Sequence, residues 1–155
     1  IVGVYSYKKS RKTTVDTSII NGLTKKGYSV SSAKSIHIED FSVETEGTDT
    51  FRHHVSGAQR VGLVYPKGKA MVFYDAKTED FMKHFESDYL ILEGFREFSC
   101  PKILCAKEES DIENDIRDEV FCISGLISNR LSEYKGMPIF DYRKVDKIID
   151  LIENL

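Results

Sequence analysis

Four short segments that are apolar along most of their length constrain the fold of this chain more than any other feature. They lie at residues 1–6, 88–95, 101–107 and 120–125. A strand with one solvated face alternates apolar and polar residues, whereas a strand that is apolar throughout is covered on both faces, as in a parallel sheet between helices. We therefore predict an α/β fold with a mostly parallel sheet and helices on both of its faces.

The segments between these strands carry helical and turn patterns. In residues 13–26, Val15, Ile19 and Leu23 recur every four positions, and Gly27 follows as a stop signal. Similar patterns predict the remaining elements: strands at 28–35, 60–66, 69–75 and 137–142, helices at 49–58, 78–85 and 145–155, a loop at 36–48, and a solvated loop or exposed helix in the charged run 108–119.

The size and charge of the chain exclude several classes of protein. Its 155 residues are enough for a single domain over residues 1–155. The net charge of −3 argues against broad nucleic-acid binding, and no apolar run reaches the roughly 18 residues of a membrane span. Cys100, Cys105 and Cys122 show no C-x-x-C spacing, which predicts packed, reduced thiols in a cytoplasmic protein.

The stretch SYKKSRKTT, residues 6–14, lies between the first predicted strand and the first predicted helix. Ligands bind beyond the carboxyl ends of strands in open α/β sheets, and the unpaired amides of a helix N-terminus attract anions. The phosphate-loop pattern is G-x-x-x-x-G-K-[ST], whose lysine reaches the terminal phosphates and whose hydroxyl binds Mg²⁺. Because Lys12 and Thr13 match its last two positions, the predicted fold is P-loop NTPase-like.

Both glycines of that pattern are replaced, by Ser6 and Arg11. Glycine allows backbone angles that other residues avoid, so each replacement is expected to cost about 1–3 kcal/mol of strain in a phosphate-loop conformation. Against this, Lys8, Lys9, Arg11 and Lys12 place four cations in one loop, and charge-assisted contacts to phosphate are strong. The alternative is an exposed basic turn that binds no ligand.

Other segments extend the pattern beyond the loop. The stretches AKSIHIEDF, GTDTFRHHVSGA and YLILEGF follow it in this order. Together with the loop they resemble the MobB family, molybdopterin-guanine dinucleotide biosynthesis protein B, from Ile1 to about Lys107. The chain departs from the family pattern in the loop glycines and in the histidine cluster, where Ser35 replaces a histidine and Ile38-Glu39 disturbs the spacing.

The resemblance implies a set of site residues. It places Mg²⁺ on Thr13, Asp49 and Glu93, and it adds Lys34, His37 and Arg52 as further candidates. The resemblance carries over Lys12, Thr13 and Thr14 as phosphate-binding residues. With the other polar and cationic residues of the loop, the predicted phosphate-binding set is Lys8, Lys9, Ser10, Arg11, Lys12, Thr13 and Thr14.

Two of these carboxylates have structural alternatives. Glu93 ends an apolar strand, where a carboxylate is costly to bury without a partner; it either binds Mg²⁺ or its water, or it escapes to solvent at the strand end. Asp49 begins the helix predicted at 49–58, whose expected N-cap is Asp49 or Thr48; Asp49 either caps that helix or serves as a magnesium ligand.

The resemblance also implies a function. Members of the family bind GTP, hydrolyse it slowly, form homodimers and assist MobA, the guanylyltransferase that attaches GMP to molybdopterin. We therefore expect GTP and Mg²⁺ as cofactors, and a homodimer, a MobA-like enzyme, molybdopterin or a molybdoenzyme as partners, with no nucleic acid or membrane. Because both glycines are lost, GTP hydrolysis is expected to be slow or absent. The alternative is a non-catalytic adapter that docks MobA or a molybdopterin phosphate without a nucleotide cycle.

Overall fold

The computed structural model describes residues 1–6 and 10–155. Contacts divide the chain into two compact units. We call residues 1–36 with 87–155 the sheet unit, and residues 37–86 the hairpin unit. The single domain expected over residues 1–155 stays a prediction.

The sheet unit contains a five-stranded sheet in the order β2-β5-β1-β6-β7, in which every neighbouring pair of strands is parallel. The α/β prediction is thereby confirmed. Its elements are β1 (Val2–Tyr5), α1 (Lys12–Lys25), β2 (Val30–Lys34), β5 (Tyr89–Glu93), β6 (Lys102–Cys105), α4 (Glu109–Asp115), β7 (Val120–Ser124), a 3₁₀ turn (Leu126–Asn129), β8 (Glu133–Tyr134), β9 (Met137–Pro138) and α5 (Asp146–Ile152).

Residues that alternate along the strands form two cores, one on each face of the sheet. On one face Val4 and Ile103 pack with the apolar stripes of α1 and α5. On the other face Tyr5 and Leu104 pack with Ile112 of α4. Both faces are covered, and this is the physical reason why β1, β5, β6 and β7 are apolar on nearly every residue. All three cysteines are free and buried, as the prediction of packed thiols requires.

Two elements of the sheet unit differ from the sequence predictions. The charged run forms α4, which begins with a capping box of Glu108 and Asp111 and buries Ile112, so neither an exposed helix nor a loop describes it. The strand predicted at 137–142 is only the two residues of β9, which pair with β8. A charge count does not reveal a single buried isoleucine. Beyond β9 the segment 137–142 joins the sheet through one parallel bridge, between Ile139 and Ile123 of β7, and not as a full strand.

The hairpin unit consists of α2 (Asp49–Val55), β3 (Arg60–Tyr65), β4 (Gly68–Phe73) and α3 (Thr78–Met82). The predicted hairpin is confirmed: β3 and β4 are antiparallel, with Tyr65 opposite Gly68 at the turn. On one face of this ribbon Val61 is buried. Val64 and Met71 lie on the opposite face and are 82% and 58% exposed.

No helix in the described part of the chain is long and apolar enough to cross a membrane.

Candidate functional site

The loop from β1 to α1 lies at the place where the strand order of the sheet changes direction. The connection after β1 leads to β2 at one edge, while the connection after its neighbour β6 leads to β7 at the other edge. A crevice at the carboxyl ends of two such strands is the usual ligand site of an open α/β sheet. Residues 7–9 of the loop are outside the described residues, so Lys8 and Lys9 stay predictions.

Arg11 has the backbone conformation that the phosphate-loop pattern reserves for glycine. Its φ is 72° and its ψ is 22°, in the left-handed region, and it stands at the N-terminal cap of α1 without a side-chain cap. An L-residue with a Cβ is strained there by about 1–2 kcal/mol. The strain expected at Arg11 is therefore present in the backbone of the loop.

We expect Arg11→Gly to raise the free energy of unfolding by about 1 kcal/mol relative to Arg11→Ala, because only glycine removes the Cβ from the left-handed residue. Arg11→Ala is the matched control, since it removes the same charge and keeps the Cβ. Urea unfolding of both variants measures the difference. Equal stabilities would contradict the strain that the φ of Arg11 implies.

Ser6 does not share this strain. Among the described non-glycine residues only Arg11 and Lys135 have a left-handed φ, so the strain predicted at Ser6 is wrong. Its carbonyl oxygen instead accepts a hydrogen bond of 2.5 Å from Nη2 of Arg96, whose Nη1 donates to the buried Asp115 at 2.9 Å. A paired guanidinium therefore fixes the first residue of the loop from the segment after β5.

The other end of the loop packs against Gly125, which follows β7. A Cβ at Gly125 would lie 2.6 Å from the carbonyl oxygens of both Ser10 and Ala106, and the φ of Gly125 is +93°. Ser10 is 2% exposed, and its Oγ has no hydrogen-bond partner among the described residues. Close packing against the backbone of Gly125 thus fixes the position of Ser10, the residue before Arg11. Its buried hydroxyl has no bonding partner among the described residues.

Three charged side chains meet where β1, β2 and β5 end. Glu93 lies opposite Val4 of β1 and opposite Lys34 of β2 in the strand register. Its Oε1 is 3.2 Å from Nζ of Lys34 and 3.2 Å from Nζ of Lys12, which begins α1. The solvent alternative for Glu93 is wrong, since its side chain is only 15% exposed and has two cationic partners. Sheet register and the start of α1 together place these three predicted residues side by side.

A cavity of about 240 Å³ lies beside this charged group, between α1, β2 and β5. We call it the Asp16 cavity. Its lining residues are Thr13, Asp16, Thr17, Ile20, Ser32, Ala33, Lys34, Ile91 and Glu93. Asp16 is 4% exposed, and neither of its carboxylate oxygens has a hydrogen-bond partner among the described residues. Burial, and next the charge of Glu93, raise the pKa of Asp16 to about 8.

We expect Asp16→Asn to be more stable than wild type by a larger margin at pH 8 than at pH 5. The folded chain keeps the proton of Asp16 up to about pH 8, whereas the unfolded chain loses it near pH 4. Ionisation of the unfolded state therefore destabilises the wild-type fold as the pH rises between these values. The unfolding free energy of Asp16→Asn minus that of wild type should grow by roughly 2–4 kcal/mol from pH 5 to pH 8. Urea unfolding in EDTA measures it; a constant difference would show that Asp16 is ionised throughout.

The remaining candidates lie in the hairpin unit. Thr48, not Asp49, caps α2: its Oγ1 accepts from the amide of Phe51 at 3.3 Å, so the capping role of Asp49 is wrong. The Asp49 side chain is 89% exposed, and its Oδ1 lies 3.6 Å from Nη1 of Arg52. His37 is exposed at the start of this unit. Magnesium binding by Asp49 and ligand contacts of Arg52 and His37 stay predictions.

Sequence reasoning missed Asp16, Arg96, Asp115 and Gly125. Asp16 gave one signal, because it is a charged residue next to the apolar stripe of α1, one turn after Thr13. Gly125 gave another, since it directly follows an apolar strand. The hydrogen bond from Arg96 to the loop joins residues 90 positions apart and left no local pattern.

Comparison with known proteins gives a consistent result. The sequence model of the family described as molybdopterin guanine dinucleotide synthesis protein B, MobB, matches residues 1–127. A protein of Methanocaldococcus jannaschii is 30% identical over 125 residues, which are 74% of this chain. The chain spans 51% of the length of that relative. The molybdopterin-guanine dinucleotide biosynthesis adapter protein of Haemophilus influenzae is 27% identical over 160 residues, which cover 99% of this chain and 88% of that protein.

Solved structures agree on the fold. The crystal structure of Bacillus subtilis MobB matches with a TM-score of 0.77 and 23% identity, over 99% of this chain and 95% of that chain. A molybdopterin-guanine biosynthesis protein B matches with a TM-score of 0.72 and 18% identity. The P-loop NTPase-like fold expected from the loop is thereby confirmed.

Proposed function

The chain belongs to the MobB family, and from this premise we propose that it serves as an adapter protein in molybdopterin-guanine dinucleotide biosynthesis that binds GTP together with Mg²⁺ at the loop between β1 and α1. The relative from Haemophilus influenzae is named as an adapter of this pathway. A role in molybdenum cofactor biosynthesis is the part of the proposal that these relatives support. The bound nucleotide, the Mg²⁺ ion and the partner proteins are the more specific part of the proposal.

The observation that supports nucleotide binding is the backbone at the start of α1. Arg11 adopts the left-handed conformation of the missing glycine, so Lys12 and Thr13 begin the helix as the phosphate-loop pattern requires. No acidic residue occupies the first turn, and the side chain of the N-cap residue Arg11 makes no capping hydrogen bond. The amides of that turn and the positive end of the helix dipole are then available to an anion. Lys12 would exchange Glu93 for the β- and γ-phosphates.

The residues around the loop also fit Mg²⁺, which prefers oxygen ligands and keeps several waters. Thr13, Asp16 and Glu93 line the same cavity. Neither carboxylate oxygen of Asp16 has a hydrogen-bond partner among the described residues. A bound Mg²⁺ would neutralise phosphate charge. Thr13 and Glu93 would hold it, and Asp49 is a further predicted ligand. Hydrolysis would be slow or absent, because both loop glycines are replaced and catalysis needs preorganised groups around the γ-phosphate, a stricter demand than binding.

The number of phosphates in the ligand tests this proposal. If Lys12 and the first turn of α1 hold the terminal phosphates, displacement of a fluorescent GTP analogue should weaken in the order GTP, GDP, GMP. Each step should be about tenfold or more, since charge-assisted phosphate contacts are lost. GMP displacing the analogue as well as GTP would show that the loop does not bind phosphate.

A second function is favoured by the engagement of Lys12 with Glu93 at 3.2 Å. In that case the basic loop docks a MobA-like guanylyltransferase or a molybdopterin phosphate without a nucleotide cycle. Gel filtration of the chain with such an enzyme, with and without GTP, separates the two functions. A complex that forms equally in both conditions favours the adapter without nucleotide, and a complex that requires GTP favours the first function.

We also propose a homodimer, supported by the outer face of the β3–β4 ribbon. A two-stranded ribbon is marginal in water unless another surface covers it. Val64 and Met71 share that face and are exposed. Light scattering should therefore give twice the mass of the chain, and Val64→Asp should give the monomer mass. Val43→Asp is the matched control, because Val43 is 77% exposed in the same unit and lies outside the ribbon. A monomeric wild type would contradict the dimer.

A further inference from the structure

Asp16 is a buried carboxylate that no described side chain satisfies. It is 4% exposed, its two oxygens have no hydrogen-bond partner among the described residues, and it lines the Asp16 cavity. A buried carboxylate without a partner is costly, so such a group either stays protonated or takes up a cation. The phosphate-loop pattern and the family motifs assign no role to this position.

The charged neighbours of Asp16 leave it available. Among residues 1–6 and 10–155, the charged groups that act on it are Glu93, Lys12 and Lys34. Both lysines lie 3.2 Å from Oε1 of Glu93, and neither is bonded to Asp16. The cavity therefore contains two carboxylates, of which one is neutralised by cations and the other is not.

The size and lining of the cavity match a hydrated ion. Its volume of about 240 Å³ corresponds to roughly eight water molecules at about 30 Å³ each. Thr13, Ser32, Asp16 and Glu93, whose side chains carry oxygen atoms, are among the residues that line it. No group of three or more His, Cys, Asp or Glu side chains in residues 1–6 and 10–155 is placed to hold a metal ion. An ion that keeps several of its waters suits such a sparse set better than one that needs a complete protein cage.

We propose that the Asp16 cavity is a divalent-cation site in which Asp16 supplies a carboxylate ligand, directly or through water, and which binds the cation without nucleotide. The inference rests on the proposed phosphate and magnesium site, because Thr13 and Glu93 belong to both. Phosphate at Lys12 would withdraw that lysine from Glu93 and increase the negative charge facing the cavity. Cation and phosphate would then each strengthen the binding of the other by the same factor.

The test uses Mn²⁺ as the probe, because the electron paramagnetic resonance signal of free Mn²⁺ counts the unbound ion directly. The whole chain is titrated without nucleotide, as wild type, Asp16→Asn, Glu93→Gln and the control Asp118→Asn. Asp118 is an exposed carboxylate outside the cavity, so its variant removes the same charge elsewhere. We expect Asp16→Asn to weaken Mn²⁺ binding by about 10- to 100-fold and Asp118→Asn to leave it unchanged.

Circular dichroism and urea unfolding show whether each variant folds, and Asp16→Glu, which keeps the charge, should retain part of the affinity. Equal Mn²⁺ affinity in folded Asp16→Asn and wild type would overturn the proposal, and so would no Mn²⁺ binding by wild type at millimolar concentration. A parallel GTP titration separates this result from the proposed function. If Asp16→Asn loses Mn²⁺ binding while the wild-type chain binds no GTP, the cation site alone is supported. If the wild-type chain binds GTP while Asp16→Asn binds Mn²⁺ as wild type does, the nucleotide site alone is supported.

Discussion

Replacing Lys12 by alanine is expected to abolish nucleotide binding and to leave the fold intact. Lys12 begins α1 beside the amides of its first turn, and its side chain is 23% exposed. Loss of the charged contact between Lys12 and the terminal phosphates is expected to cost about 2–5 kcal/mol, so the affinity for GTP should fall by at least about 30-fold. Calorimetric titration of the variant measures the loss.

Lys34→Ala is the matched control for this variant. Both lysines lie 3.2 Å from the same oxygen of Glu93, and only Lys12 stands at the start of α1. If the loop binds phosphate, Lys34→Ala should change the affinity for GTP by less than about tenfold, since it removes a partner of Glu93 and no phosphate contact. Equal losses in both variants would indicate that the charge left on Glu93, rather than a phosphate contact of Lys12, is responsible.

Replacing Gly125 by alanine is expected to have the largest effect on stability. The added Cβ would lie 2.6 Å from two carbonyl oxygens, of Ser10 and Ala106, and 3.0 Å from the amide nitrogen of Ala106. Backbone atoms cannot give way as a side chain does, so overpacking adds about 1–3 kcal/mol to the roughly 1–3 kcal/mol of an alanine at a φ of 93° and a ψ of −162°, a backbone region that almost only glycine occupies. We expect a loss of roughly 2–6 kcal/mol in urea unfolding and weaker GTP binding, because Ser10 must move.

Gly136→Ala is the control for an alanine at a positive φ without a collision. Gly136 has a φ of +83°, close to the +93° of Gly125, and nothing lies within 4 Å of its added Cβ. This control should lose about 1 kcal/mol, from the left-handed alanine alone. If the two variants were equally stable, the packing of Gly125 against the loop would contribute nothing.

The sequence was sufficient for the parts of the fold that depend on local patterns. Continuous apolar runs predicted β1, β5, β6 and β7, and the recurrence of Val15, Ile19 and Leu23 predicted α1. These signals are local because burial on both faces of a strand, or on one stripe of a helix, determines which residues close together in the sequence are apolar. The charged run around Ile112 was harder, because one buried side chain anchors α4 while its neighbours are charged.

The candidate site was predicted only in outline. Lys12, Thr13, Lys34 and Glu93 follow from motif and resemblance, and the strand register brings Lys34 and Glu93 together. The contacts that hold the loop in place could not be predicted from the sequence in the same way. Arg96 reaches Ser6, and Gly125 contacts Ser10, across separations of 90 and 115 residues, where no periodicity connects them. The strain expected at Ser6 is absent, because its φ is not left-handed.

Calorimetric titration of GTP into the wild-type chain, with and without Mg²⁺ and with ATP as control, tests the central claim most directly. The claim is that the stretch from Ser6 to Thr14 is a working phosphate loop in which Arg11 holds the place of a glycine. It predicts magnesium-dependent binding of GTP with a dissociation constant in the micromolar range, which corresponds to a binding free energy on the order of −8 kcal/mol. ATP should bind more weakly. No heat of binding from either nucleotide at millimolar concentration would contradict it.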